Sequence, residues 1–115
     1  MNGVTLVGRI TADPEIKELN DGTKRTTITV AVQRNYKNAD GEYETDFIKC
    51  VLWNGVAEAT SNYCHKGDIV GIKGRLQTRY YETENKEKKY VQEVLTEKIT
   101  FISSIDKNKN DRGER

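Results

Sequence analysis

Apolar residues recur at every second position through much of this chain, and that period limits its fold more than any other feature. In DGTKRTTITVAVQRNY, Ile28, Val30 and Val32 alternate with Thr27, Thr29 and Ala31. Successive side chains leave a strand on opposite sides, so such a run reads as a strand with one face buried and one face wet. Gly, Asn and Asp clusters cut the rest into similar runs. These are GVTLVGRI, TDFIKCVLWNG after the polar loop KNADGE, GDIVGIKGRLQTRYYE, and KYVQEVLTEKITFI beyond the charged tip ENKEKK.

Only one segment has helical spacing. Between Asn54 and Lys66 the sequence sets Val56, Ala59 and Tyr63 on one face, and Gly67 supplies a stop. Five strands with one short helix between the third and fourth is the layout of an all-β OB-fold, a five-stranded Greek-key barrel. Gly71 and Gly74 fall where a curving strand needs a bend or bulge. A chain of 115 residues makes one domain with a modest core, expected over residues 1–103. Residues 104–115, SIDKNKNDRGER, are polar and mixed in charge and are expected to form a disordered tail.

Several function classes drop out. Apolar residues make up 35% of the chain and charged ones 32%, a soluble-protein balance. No apolar run reaches the roughly 18 residues of a membrane helix, and MNGVTLVGRI lacks the layout of a secretion signal. A cytoplasmic protein is expected, with Cys50 and Cys64 as buried free thiols among apolar neighbours. The sole histidine, His65, has no Cys, His or carboxylate at a metal-ligand spacing and reads as a surface residue. The acidic loop NADGEYETD fails as a calcium loop, because its closing glutamate position, counted from Tyr36, falls on Phe47. There is no glycine-rich phosphate loop and no nucleophile elbow. No metal, cofactor or enzymatic activity is expected.

One face demands a different explanation. Within TDFIKCVLWNG, Ile48, Cys50 and Leu52 form a plain core side, while Phe47, Lys49, Val51 and Trp53 share the other. The same parity in GRLQTRYYE sets Arg75, Gln77, Arg79 and Tyr81 against Leu76 and Thr78. Two strands thus each mix cations with aromatics. Single-stranded nucleic acid asks for that mixture: its phosphates need cations, and its unpaired bases stack on flat side chains. The competing reading makes the rings core, with the cations snorkelling around them. A net charge of +1 argues against a uniformly basic binder but leaves room for a local basic stripe. Tyr36 falls on the core side by parity from Val32, so a bulge or an overhang must turn it outward.

The stretches LVGRITADPEIK, GTKRTTITVAVQRNY, DFIKCVLWNGVAE, KGD and GRLQTRYYE agree in order and spacing with a known family. Over residues 4–102 the chain resembles bacterial-type single-stranded DNA-binding proteins of the homotetrameric OB-fold class. The resemblance implies base stacking by Tyr36, Phe47, Trp53 and Tyr81. It implies phosphate contacts from Lys49, Arg75 and Arg79, and also from Arg9, Arg34 and Lys66. Dimerisation along the first strand would use Val4, Thr5, Leu6, Val7, Gly8 and Arg9, and Ile48 falls at a tetramer contact. Three of the four stacking positions differ from the tryptophans of the family's tryptophan-rich version. The family's acidic C-terminal tip, which recruits protein partners, has no counterpart in NKNDRGER, so no tail-dependent partner is expected. The implied activity is coating single-stranded DNA with little sequence preference during replication, recombination or repair, by a nucleoid-associated homotetramer. The alternative is an OB-fold subunit that makes protein contacts in a replication-restart assembly.

Overall fold

A computed structural model describes residues 1–104. The elements run β1 (Val4–Ile10), β2 (Lys17–Glu18), β3 (Lys24–Lys37), β4 (Tyr43–Trp53), α1 (Asn54–Tyr63), β5 (Ile69–Glu82) and β6 (Lys88–Ser103). Apart from the two-residue β2, the strands are the five expected, and the helix follows the third of them. Their order β1-β5-β6-β4-β3 is closed into a ring by pairing of Arg9 with Ala31 and Ile10 with Val30. All pairings are antiparallel except β4 with β6, which meet in parallel at Cys50–Val94 and Val51–Leu95. This is the expected OB-fold barrel.

Alternation fills the barrel. Ile10, Ile28, Val30, Cys50, Leu52, Val70, Ile72 and Val94 are all buried, and Ala57 and Cys64 join them from the helical side. Both thiols are free, as expected. The helix departs from its predicted face: Ala57 and Thr60 are its buried residues, Val56 packs partly, and Tyr63 is 73% exposed. Three neighbouring strands fix the tilt of so short a helix more firmly than its own apolar spacing does. It also ends earlier than Gly67 suggests. Cys64 is already extended, and Gly67 sits in the following turn, donating its N–H to the Ile10 carbonyl at 2.8 Å.

Two glycines permit the closure. A side chain on Gly8, where β1 crosses β3, would overlap the Ala31 carbonyl oxygen and come within 2.6 Å of Val30 Cγ1. On Gly74 it would overlap the Leu95 carbonyl, at the point where the β5–β6 register shifts. The bulge expected in β5 is therefore at Gly74, while Gly71 has only ordinary contacts, the nearest at 3.5 Å. A second irregularity, between Gln33 and Lys37, turns Tyr36 outward. Gly74→Ala should destabilise the domain by about 1–3 kcal/mol through overpacking, whereas Gly71→Ala should stay within about 0.5 kcal/mol. Thermal melts of the two variants check this; equal losses would contradict the assignment.

Candidate nucleic-acid interface

Cross-strand register assembles the outer face. On β3 and β4, Arg25 stands opposite Trp53, Thr27 opposite Val51, Thr29 opposite Lys49, and Ala31 opposite Phe47. Val51 continues through Leu95 of β6 to Arg75 of β5. Beyond it, Gln77 lies opposite Glu93, Arg79 opposite Val91, and Tyr81 opposite Lys89. Partners in a register share a side of the sheet, so the two runs singled out by parity form one surface.

Exposure sorts this surface. Phe47 is 67% exposed and Tyr81 46%, so both rings are open to a ligand. Trp53 is half-buried, with the Arg25 guanidinium 5.8 Å from its ring centroid. Tyr81 has a matching partner in Arg79, also at 5.8 Å. Cations placed over ring faces in this way are attracted by the ring quadrupole. Lys49 and Arg75 are exposed. Val51 shares their side but is only 2% exposed, because strands flank it on both edges. It belongs to the seam of the barrel rather than to an open face. Tyr36, 61% exposed, stands on the β3–β4 hairpin near Tyr43, whose ring has Lys37 Nζ at 5.8 Å.

The remaining cations are placed differently. Arg9 is opposite Ala31, in the same register row as Phe47 but across the other edge of β3, and its Nη1 donates to the Gly67 carbonyl at 2.7 Å. Arg34 is engaged by carboxylates, with Nη2 donating to Asp46 at 2.9 Å and Nη1 to Glu44 at 3.3 Å. That hydrogen bond holds the Asp46 carboxyl below its usual range and pushes the Arg34 guanidinium up. Lys66 lies in the turn after the helix, where its backbone N–H donates to Asp13 at 2.7 Å. Ile48 is half-buried and lines, with Val4, Leu6, Leu76 and Val94, a groove of about 390 Å³.

Sequence reasoning missed Arg25, Lys89 and the pair Gln77–Glu93. Parity from Ile28 already sets Arg25 on the outer side, and only the register puts it beside Trp53. Leu76, assigned to the core side, is 45% exposed, because β5 and β6 run on as a ribbon beyond the barrel wall.

Nothing in the face suggests bond-making chemistry. Burial pushes the Cys50 thiol up to about 11, so it holds no thiolate near neutral pH. His65 is largely exposed, with Nδ1 3.9 Å from Asp68. Among the described residues, no group of three or more His, Cys, Asp or Glu could hold a metal ion. No helix among them is long and apolar enough to cross a membrane.

Comparison with known proteins agrees with this geometry. The model of the single-strand binding protein family matches residues 1–102. Single-stranded DNA-binding protein B of Bacillus subtilis is 46% identical over 101 residues, covering 88% of this chain and 89% of that protein. The single-stranded DNA-binding protein of Lactiplantibacillus plantarum is 46% identical over 104 residues, or 90% of this chain but only 52% of the longer relative. Protein A of Bacillus subtilis is 44% identical over 102 residues, 89% of this chain and 59% of that one. The chain therefore spans nearly all of one relative and little more than half of others, and it belongs to the single-strand binding protein family.

Proposed function

We propose that this protein coats single-stranded DNA with little sequence preference, keeping it from re-pairing and shielding it during replication, recombination or repair. One observation carries the reading: the exposed rings of Phe47 and Tyr81 and the half-buried ring of Trp53 share a sheet face with Lys49, Arg25, Arg75 and Arg79. Stacking on such rings is worth roughly 1–3 kcal/mol per base and tolerates every base. Duplex DNA, whose bases already stack on one another, would leave the rings idle. Tyr36 extends the path along the β3–β4 hairpin, and Arg9 flanks it. Arg34 joins only by leaving Asp46, and Lys66 is the least supported of the phosphate contacts. The relatives' names speak for single-stranded DNA, which disfavours a role as a protein-contact subunit.

The protein acts as a cytoplasmic, nucleoid-associated homotetramer built from dimers. Strand β1 gives one edge to β5 but touches β3 only at Arg9 and Ile10, so residues 4–8 keep an open edge. Val7 on that strand is 57% exposed. An exposed apolar edge is a liability that pairing between copies removes. The reverse of the β5–β6 ribbon adds Leu76, which lines a groove with Ile48, and farther along it the paired rings of Tyr80 and Tyr90, 5.1 Å apart. The binding domain is residues 1–103. The tail expected to be disordered and without partners, residues 104–115, lies outside the described residues from position 105 on.

Trp53, the single tryptophan, reports on binding. Its fluorescence should fall strongly with poly-dT and hardly change with duplex DNA. Trp53→Ala and Tyr81→Ala should each weaken poly-dT binding by about 1–3 kcal/mol while keeping a cooperative melt. Loss of the melt would make those rings core. Sedimentation should give a tetramer; a monomer would contradict the assembly.

A further inference from the structure

On the proposed face Lys49, Arg75 and Arg79 are exposed and Arg25 is half-buried beside Trp53, and the carboxylate that meets Arg79 is buried. Glu93, on the outer side of β6, is only 2% exposed. Its Oε2 accepts from Gln77 Nε2 at 2.9 Å and from Arg79 Nε at 3.2 Å. Its Oε1 is buried with no hydrogen-bond partner among the described residues. Phe47 and Lys49 line the same groove as Glu93, and Arg79 reaches the carboxylate from β5, so Glu93 adjoins cations of both strands. A buried anion at the centre of a surface built for phosphates is a conflict that neither the fold nor the proposed activity explains.

We propose that Glu93 is a positioning residue that tunes the strength of single-strand binding: it fixes the guanidinium of Arg79 beside Tyr81 and takes back part of its charge. The inference rests on the proposed nucleic-acid face and deepens it.

Both halves of this role follow from which atoms are used. Arg79 gives Glu93 its Nε, not its Nη pair, so the guanidinium keeps donors with which to grip a phosphate. An arginine free on a strand would lose its rotamer freedom on binding; one already pinned at Nε loses less. The carboxylate nonetheless stays as a negative charge close to where a phosphate would lie, and the low local dielectric strengthens that repulsion. Gln77 neutralises nothing, since an amide carries no charge. Oε1 has no donor to spread its charge onto. The cation at position 79 therefore answers a phosphate with less than its full charge. The balance is set by how firmly the carboxylate is occupied by its two donors.

The test uses the full chain and Trp53 fluorescence, titrating poly-dT over a range of salt. Glu93→Gln keeps an acceptor for Arg79 Nε while removing the charge. It should bind several-fold more tightly than wild type, and its slope of log affinity against log salt should steepen by about 0.7, the single-strand increment for one more phosphate neutralised. In an Arg79→Ala background the same change should gain much less. Gln77→Met leaves the carboxylate in place and removes its competing donor, so Glu93 holds Arg79 harder. That variant should bind more weakly with a flatter slope, and it decides the matter if Glu93→Gln does not fold. Affinity and slope unchanged or reduced in Glu93→Gln, or unchanged or increased in Gln77→Met, would overturn the role. Wild-type protein that failed to bind poly-dT at all would instead overturn the proposed function, and this inference with it.

Discussion

The two halves of the barrel are joined on one side by a parallel contact of two residue pairs, Cys50–Val94 and Val51–Leu95, and the outer face depends on it. Each half is a long antiparallel hairpin, β3–β4 or β5–β6, that extends past the barrel wall. Leu95 is the pivot: it pairs with Val51 in parallel and with Arg75 in antiparallel fashion, and its carbonyl occupies the space that a side chain on Gly74 would need. So short a seam leaves the hairpins free to diverge on either side of it. The divergence puts Phe47 and Tyr81 on separate arms of one surface, a shape that suits a flexible single strand better than a rigid duplex.

How much of this was legible in the sequence follows from what parity can and cannot encode. The period of two gives the side of a strand: it sets Phe47, Lys49 and Trp53 on one side of β4 and Arg75, Arg79 and Tyr81 on one side of β5, and only the register joins the two into one face. Parity says nothing about what covers that side. Val51 therefore looked like part of an open surface, although the seam buries it. Leu76 failed in the opposite sense, being on the inner side of a ribbon that has left the core behind. The helix was misread because its buried face is chosen by the surrounding strands. Glu93 could not be found at all: its burial and its hold on Arg79 depend on the register of β5 against β6, which no local pattern in KYVQEVLTEKITFI records.

The electrostatics explain how a chain of net charge +1 can carry the surface proposed for phosphates. At physiological salt a charge is felt over about 8 Å, so the overall sum matters less than what stands within that radius. Lys24 is paired with Glu58 at 2.8 Å and Arg34 with Asp46 at 2.9 Å, both as partly exposed pairs. Such pairs add little to stability, typically about 0–1 kcal/mol. Their larger effect is to mute cations off the proposed face, while Lys49 and Arg75 on it have no salt-bridge partner among the described residues.

The same alternation that divides core from surface inside the barrel acquires a second use beyond it. In the β5–β6 ribbon neither side is core, so each strand can offer two different surfaces from adjacent residues. Tyr81 and Arg79 face one way; Tyr80 and Tyr90 face the other, packed ring on ring at 5.1 Å. A one-residue slip of β5 against β6 would exchange Tyr81 with Tyr80, turning the ring proposed to stack on bases toward the proposed contact between copies. The bulge at Gly74, locked against Leu95, resists that slip from inside the barrel. Gly74, one of the two glycines that permit the closure, thus also sets which aromatic side chains stand on the proposed nucleic-acid face.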